Sequence, residues 1–147
     1  MSEPAQAVNG WKGGWYVVPY RVAFRDIDAF GHVNNAVYLT YFEIARTDLW
    51  LQVVGGTGWR DVGFIVARAE IDFRQQLAME PIDICVRIGD MRNSSFDFLC
   101  EVRRDASREI AATMKVVVVF FDWKTNAKKP ISDAMRQRVA SMQGGGS

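Results

Sequence analysis

Two aspartates and the only histidine of the chain fall in one short run, Asp26-Ile27-Asp28-Ala29-Phe30-Gly31-His32, with Asn34 and Asn35 just beyond it. The run leads straight into a segment of helical spacing. A helix start offers free backbone N–H groups and the positive end of the helix dipole, which together can receive a developing oxyanion. A carboxylate a few residues upstream can sit beside the same point, as a nucleophile or as a base for water. Hydrolysis of a thioester needs both parts. The same residue types also have plain structural uses: Asp and Asn cap helices, Gly31 suits a turn, and a lone histidine often serves only to hold a loop.

Tyr20, Val22 and Phe24 alternate with Arg21, Ala23 and Arg25, the period-two pattern of a half-buried strand. From Asn35 to Val53 the period changes. Tyr38, Tyr41, Phe42, Ala45, Leu49 and Val53 follow helical spacing, and Val37, Leu39, Ile44, Trp50 and Leu51 make the other faces apolar too. This pattern predicts a long helix wrapped by the rest of the chain, capped by Asn34 or Asn35 and ended by Gly55-Gly56. Four further strands are expected, around Ile65–Phe73, Ile82–Ile88, Phe96–Val102 and Ile110–Phe121, joined by turns at Asn93-Ser94 and Arg104–Arg108. The last strand ends apolar on both faces, which predicts a central or covered position. A short helix capped by Ser132 closes the chain, and residues 1–14 and 144–147 read as loose ends. The order is α+β, five antiparallel strands around one central helix, in a single domain of 147 residues. One sheet face or edge is left as a candidate for a second copy.

Eighteen Lys and Arg against 17 Asp and Glu leave a net charge of +1, so no global field favours nucleic acid or an anionic membrane. Any bound anion must be held by a local cluster. With one histidine and two separated cysteines, Cys85 and Cys100, a zinc site is not expected, and both thiols read as small core residues of a reduced compartment. The start of the chain lacks the basic-then-apolar pattern of a signal peptide, and no run approaches a membrane span, so a cytoplasmic location is expected. No cofactor is called for.

The run Asp26-Ile27-Asp28-Ala29-Phe30-Gly31-His32-Val33 resembles the D-x-D-x-x-G-x-V hallmark of the hotdog-fold thioesterases of the 4-hydroxybenzoyl-CoA thioesterase group. The continuation from Asn35 to Thr47, ending Glu43-Ile44-Ala45-Arg46-Thr47, resembles that family's helix, and the likeness extends from Tyr16 to about Arg138. The resemblance implies a hotdog fold and acyl-CoA thioesterase activity. By position, Asp28 would be the catalytic carboxylate, as nucleophile or as general base for water. Asn35 would supply the backbone N–H that polarises the carbonyl, and Asp26 would be structural. His32-Val33-Asn34-Asn35 is also similar to the His-Val-Asn-Asn of plant-type acyl-carrier-protein thioesterases, which implies that His32 orients water or substrate or holds the loop. Phe30 stands where those enzymes carry an assisting Asn, so their triad is incomplete here. A related branch uses a helical glutamate. Glu43 occupies such a place, and pairing with Arg46 or Thr47 is its expected role.

The family likeness also implies an acyl pocket beside the helix start, for which Phe30, Tyr38, Phe64 and Ile65 are candidates. Arg92-Asn93-Ser94-Ser95 aligns with the turn where phosphates dock in the family, which makes Arg92 and Ser94 candidate substrate-binding residues, although the turn has one basic residue instead of a cluster. Lys124, Lys128 and Lys129 read as a solvated surface run. Hotdog subunits pair edge to edge, so a homodimer or tetramer is implied, with Arg92 serving a neighbour's site. The alternatives are an acyl-carrier-protein thioesterase and a non-catalytic acyl-CoA-binding protein. Hotdog hydratases place Asp five residues before His and Pro-Leu ahead of it. Here Asp28 lies four before His32, which follows Phe30-Gly31.

Overall fold

The computed structural model describes residues 8–55 and 63–144. Its strands are β1 (Gly10–Lys12), β2 (Trp15–Arg21), β3 (Gly63–Phe73), β4 (Pro81–Met91), β5 (Ser95–Arg104), β6 (Ile110–Asp122) and β7 (Ala127–Lys128). The helices are α1 (Val37–Val54), between β2 and β3, and α2 (Asp133–Gly144) at the end. The strands form one antiparallel sheet in the order β1-β2-β4-β5-β6-β3, with the two-residue β7 on β6.

Four of the five expected strands lie where expected, the first is displaced to Trp15–Arg21, and the sheet has two more. Gly10–Lys12, expected to be part of a loose lead-in, folds back on β2 with Trp11 opposite Tyr16. Gly13 and Gly14 make the turn at φ +60° and +80°, a region that side-chain-bearing residues seldom enter. The expected strand through Phe24 stops at Arg21 instead. Val22 N–H donates to the Glu80 carbonyl, and Ala23 N–H is captured by Asp26 Oδ2 (2.9 Å), which turns the chain into a 3₁₀ turn over Phe24–Asp26. Phe24 is left 80% exposed.

Strand alternation places one row of each strand against α1. Ile84, Val86, Phe98, Cys100, Val116 and Val118 are buried there against Tyr41, Phe42, Ala45, Leu49 and Trp50. Each such side chain contributes on the order of 1.5–3 kcal/mol on leaving water. β6 lies between β5 and β3, as its two-sided apolar end requires. β3 is an edge strand with an irregularity between Val66 and Arg68, so residues 65–70 are exposed despite their alternating pattern. α1 also departs from expectation. Leu39, Glu43, Thr47 and Leu51, one helical row, face outward, so the helix is covered on three sides only.

Gly55 ends α1 in the left-handed conformation (φ +71°), its N–H on the Leu51 carbonyl. Gly56 lies outside the described residues. At the other end Ala36, not an asparagine, is the capping residue, and Asn34 contributes from further back by accepting Ala36 N–H at Oδ1 (3.0 Å). Ser132 Oγ accepts Met135 N–H (3.1 Å), as expected of the α2 cap. Both cysteines are buried, and burial pushes the Cys85 thiol up to about 11.

Candidate active site

The segment between β2 and α1 is bound to itself at every turn. Asp26 is 7% exposed, and its Oδ2 accepts from both Ala23 N–H and the Tyr41 hydroxyl (2.8 Å). Burial, and then this bond to Asp26, push the Tyr41 hydroxyl pKa upward. The Asp26 carbonyl accepts Asn34 N–H (2.9 Å). Ile27 and Val33 form a bridge, and Asp28 N–H donates to the His32 carbonyl (2.9 Å). Gly31 N–H returns to the Asp28 carbonyl (3.0 Å), with φ +85° at Gly31 closing the loop. Asp26 is thus a strut, and Asp28 sits at the mouth of a tight loop.

Among the polar groups of this loop that have no partner among the described residues, two belong to Asp28 and to the start of α1. Asp28 Oδ1 accepts Phe30 N–H (2.9 Å), whereas Oδ2 has no hydrogen-bond partner. At the helix start, the N–H groups of Asn34, Ala36, Val37 and Tyr38 all have acceptors, and that of Asn35 has none. Backbone donors are rarely left idle unless water or a ligand takes them. Both residues line one cleft of about 440 Å³.

One wall of the cleft is Asp28, Phe30, His32, Val33, Asn34, Asn35 and Tyr38. The opposite wall is Phe73, Arg74, Gln75 and Gln76, at the end of β3 and in the loop that follows it. Phe73 meets the Tyr38 ring edge-on, with centroids 5.2 Å apart. Phe30 is 87% exposed at the rim. The second wall is held from behind by Arg104 on β5, which donates to Gln75 Oε1 (2.8 Å), to Glu80 Oε1 (3.0 Å) and to the Gln76 carbonyl. Gln75 Nε2 in turn donates to Glu109 (2.5 Å), and this bond leads the causes that hold the Glu109 carboxyl below its usual range. Val33 N–H donates to the Leu77 carbonyl (2.8 Å), which joins the two walls.

Five of the nine residues singled out in the sequence therefore meet in one place: Asp28, Phe30, His32, Asn35 and Tyr38. The other four do not line the cleft. Phe64 packs into the aromatic core with Trp50 (5.2 Å between centroids) and Phe98 (5.4 Å), and Ile65 lies beside it on the exposed edge strand. Ser94 accepts Phe120 N–H at its carbonyl (2.7 Å). Arg92 donates to Ser95 Oγ (2.8 Å) and to Asp97 (2.6 Å), a carboxylate only 2% exposed. Glu43 is exposed, lines no part of the cleft and makes no ion pair among the described residues. Its expected partner Arg46 lies over the rings of Phe42 (5.5 Å) and Phe64 (5.2 Å) instead. The wall Phe73–Gln76 was not anticipated. Its one signal in the sequence is a charged and amidated stretch, Arg74-Gln75-Gln76, where an alternating strand stops.

No group of three or more His, Cys, Asp or Glu side chains among the described residues is placed to hold a metal ion. Among them, too, no helix is long and apolar enough to cross a membrane.

The family model of the thioesterase-like superfamily matches residues 22–139, and the chain belongs to that superfamily. Among solved structures, a thioesterase from Thermus thermophilus complexed with coenzyme A and Zn is 29% identical, with a TM-score of 0.75 over 93% of this chain and 98% of that one. A predicted thioesterase from Bacillus stearothermophilus shares the fold at 19% identity and a TM-score of 0.79, over 87% of this chain and 96% of that one. So does a 1,4-dihydroxy-2-naphthoyl-CoA thioesterase from Synechocystis, at 16% identity and 0.74, over 87% and 97%. No curated protein matches the sequence. The fold is the hotdog fold, and the class of chemistry is thioester hydrolysis.

Proposed function

We propose that the chain hydrolyses an acyl-CoA thioester in this cleft, with Asp28 as the reacting carboxylate. The observation that carries the reading is the pair of uncommitted groups, Asp28 Oδ2 and Asn35 N–H, on one cleft at the start of α1. The thioester carbonyl oxygen takes the Asn35 N–H, where the helix dipole adds to the pull on developing negative charge. Asp28 then attacks the carbonyl carbon, or removes a proton from a water that does. Collapse of the tetrahedral oxyanion breaks the C–S bond and releases the CoA thiolate, which takes up a proton. On the nucleophilic route, water then hydrolyses the acyl-aspartate anhydride. His32, half-buried on the same wall, orients water or substrate. Phe30 and Tyr38, with Phe73, form the apolar side against which the acyl group lies.

Of the remaining candidates, Ile65, Arg92 and Ser94 take part through a second copy, and Phe64 supports the helix from the aromatic core. In this reading two chains pair along the edge strand β3, whose residues 65–70 are exposed, and each brings its Arg92 turn toward the neighbour's cleft. Light scattering is expected to give a dimer or a dimer of dimers. A monomer at micromolar concentration would remove Arg92 and Ser94 from the site.

Coenzyme A as the carrier is supported by the 29%-identical thioesterase that was solved with it. A carrier-protein substrate is favoured by a different observation, the commitment of Arg92 to Asp97. Matched acyl-CoA and acyl-carrier-protein substrates decide between them. A higher kcat/KM on the CoA thioester is expected, and the reverse preference would reassign the carrier.

A further inference from the structure

Two arginines flank the cleft, and only one of them is spent. Arg104 gives its guanidinium to Glu80, Gln75 and the Gln76 carbonyl, so it builds the wall and has little left for a ligand. Arg74 lines the cleft itself, and its side chain makes no hydrogen bond or ion pair among the described residues. The Gln76 side chain, two residues on, is free in the same way. Neither sits on a loose support. Arg74 N–H and Gln75 N–H both donate to the Ala111 carbonyl (2.8 and 3.0 Å), and the Gln75 side chain is fixed at both ends. An exposed cation whose backbone is fixed at the edge of a cleft is placed to meet an anion bound there.

The cleft needs such a group. Its one carboxylate among the described residues, Asp28, repels any negatively charged substrate, and Arg74 is the only arginine or lysine that they place on either wall. Arg92, on the turn where the family resemblance implies that phosphates dock, is paired with Asp97 in the subunit. A guanidinium fork matches the paired oxygens of a phosphate or a carboxylate, and the Gln76 amide adds a neutral donor beside it.

We infer that Arg74, assisted by Gln76, recognises an anionic group of the thioester substrate, either a phosphate of the carrier or a carboxylate on the acyl part. The inference rests on the thioester-hydrolase reading of this cleft and names the residue that sets its charge selectivity. Three non-hydrolysable thioether analogues test it by calorimetry, with wild type and Arg74→Gln compared: S-alkyl-coenzyme A, S-alkyl-pantetheine and S-carboxyalkyl-pantetheine. Affinity for at least one anionic analogue should fall roughly 10- to 100-fold in the variant, and far less for the neutral one. Loss confined to the coenzyme A analogue identifies a phosphate, and loss confined to the carboxyalkyl analogue an acyl carboxylate. Arg74→Lys should recover part of the loss. Equal loss on all three, no loss on either anionic analogue, or no binding by wild type would overturn the inference. Thiol release by wild type, followed in parallel, separates the two ideas. Charge-selective binding without turnover would sink the hydrolase reading and leave Arg74 in place.

Discussion

Replacing Asp28 with asparagine is expected to lower kcat on an acyl-CoA substrate by roughly 100- to 10,000-fold, the range that a positioned acid–base group or nucleophile contributes. The fold should survive the change. The hydrogen bond that shapes the loop runs from Phe30 N–H to Asp28 Oδ1, and an asparagine carbonyl can accept it equally well. The variant loses only the charge, with an amide nitrogen in place of the oxygen that has no partner among the described residues. A thermal melt close to wild type, beside the collapse in kcat, is therefore the expected combination. Activity retained in Asp28→Asn would leave the cleft without a reacting carboxylate, because Glu43 is exposed and does not line it.

The largest stability effect among single changes near the site should come from Asp26→Ala. Its carboxylate satisfies the Tyr41 hydroxyl and Ala23 N–H, and Tyr41 is fully buried. Each donor orphaned away from water costs about 1–3 kcal/mol, so a loss of about 2–5 kcal/mol is expected from urea unfolding. Removing both sides of the interaction costs less than removing one. The double variant Asp26→Ala/Tyr41→Phe should therefore be more stable than Asp26→Ala alone, with the gain appearing as a higher urea midpoint at unchanged m. A double variant as unstable as the sum of its single changes would mean that the Asp26–Tyr41 bond does not hold the loop. Asp26→Ala should also reduce activity, because losing the side-chain strut to Ala23 N–H and Tyr41 loosens the backbone whose carbonyl at residue 26 holds Asn34 N–H, next to the proposed oxyanion donor.

How far the sequence carried depended on whether each feature was local. The alternations of β4, β5 and β6 report burial directly, since both neighbours of each strand lie in the same sheet. The alternation of β3 was equally clean, and its middle is nonetheless exposed, because an edge strand has one neighbour and periodicity does not register how many a strand has. The outward row Leu39-Glu43-Thr47-Leu51 went unseen for a similar reason: two leucines on a helix read as buried whichever way they face. Trp11 and the glycines after it read as a linker, although Gly13-Gly14 is the turn of a hairpin. Phe24 was misplaced because a side chain two residues later, Asp26, takes the backbone N–H that would have extended the strand.

At the site, one wall was legible and the other was not. The Asp28–Tyr38 wall is contiguous in sequence, and its resemblance to a known family marked it. Phe73–Gln76 arrives from the far end of β3, and only the sheet order brings it across. Arg92 carries a bond that residue type alone does not show: a buried carboxylate five positions on, Asp97, pairs with its guanidinium.

The central claim is tested most directly by thiol release from a panel of short, long and aromatic acyl-CoAs, with purified wild-type protein and Asp28→Asn run side by side. The account predicts turnover of at least one member by wild type, well above spontaneous hydrolysis and abolished in the variant. Acyl-CoA that binds to wild type and is released intact, with no free thiol from any member of the panel, would contradict it.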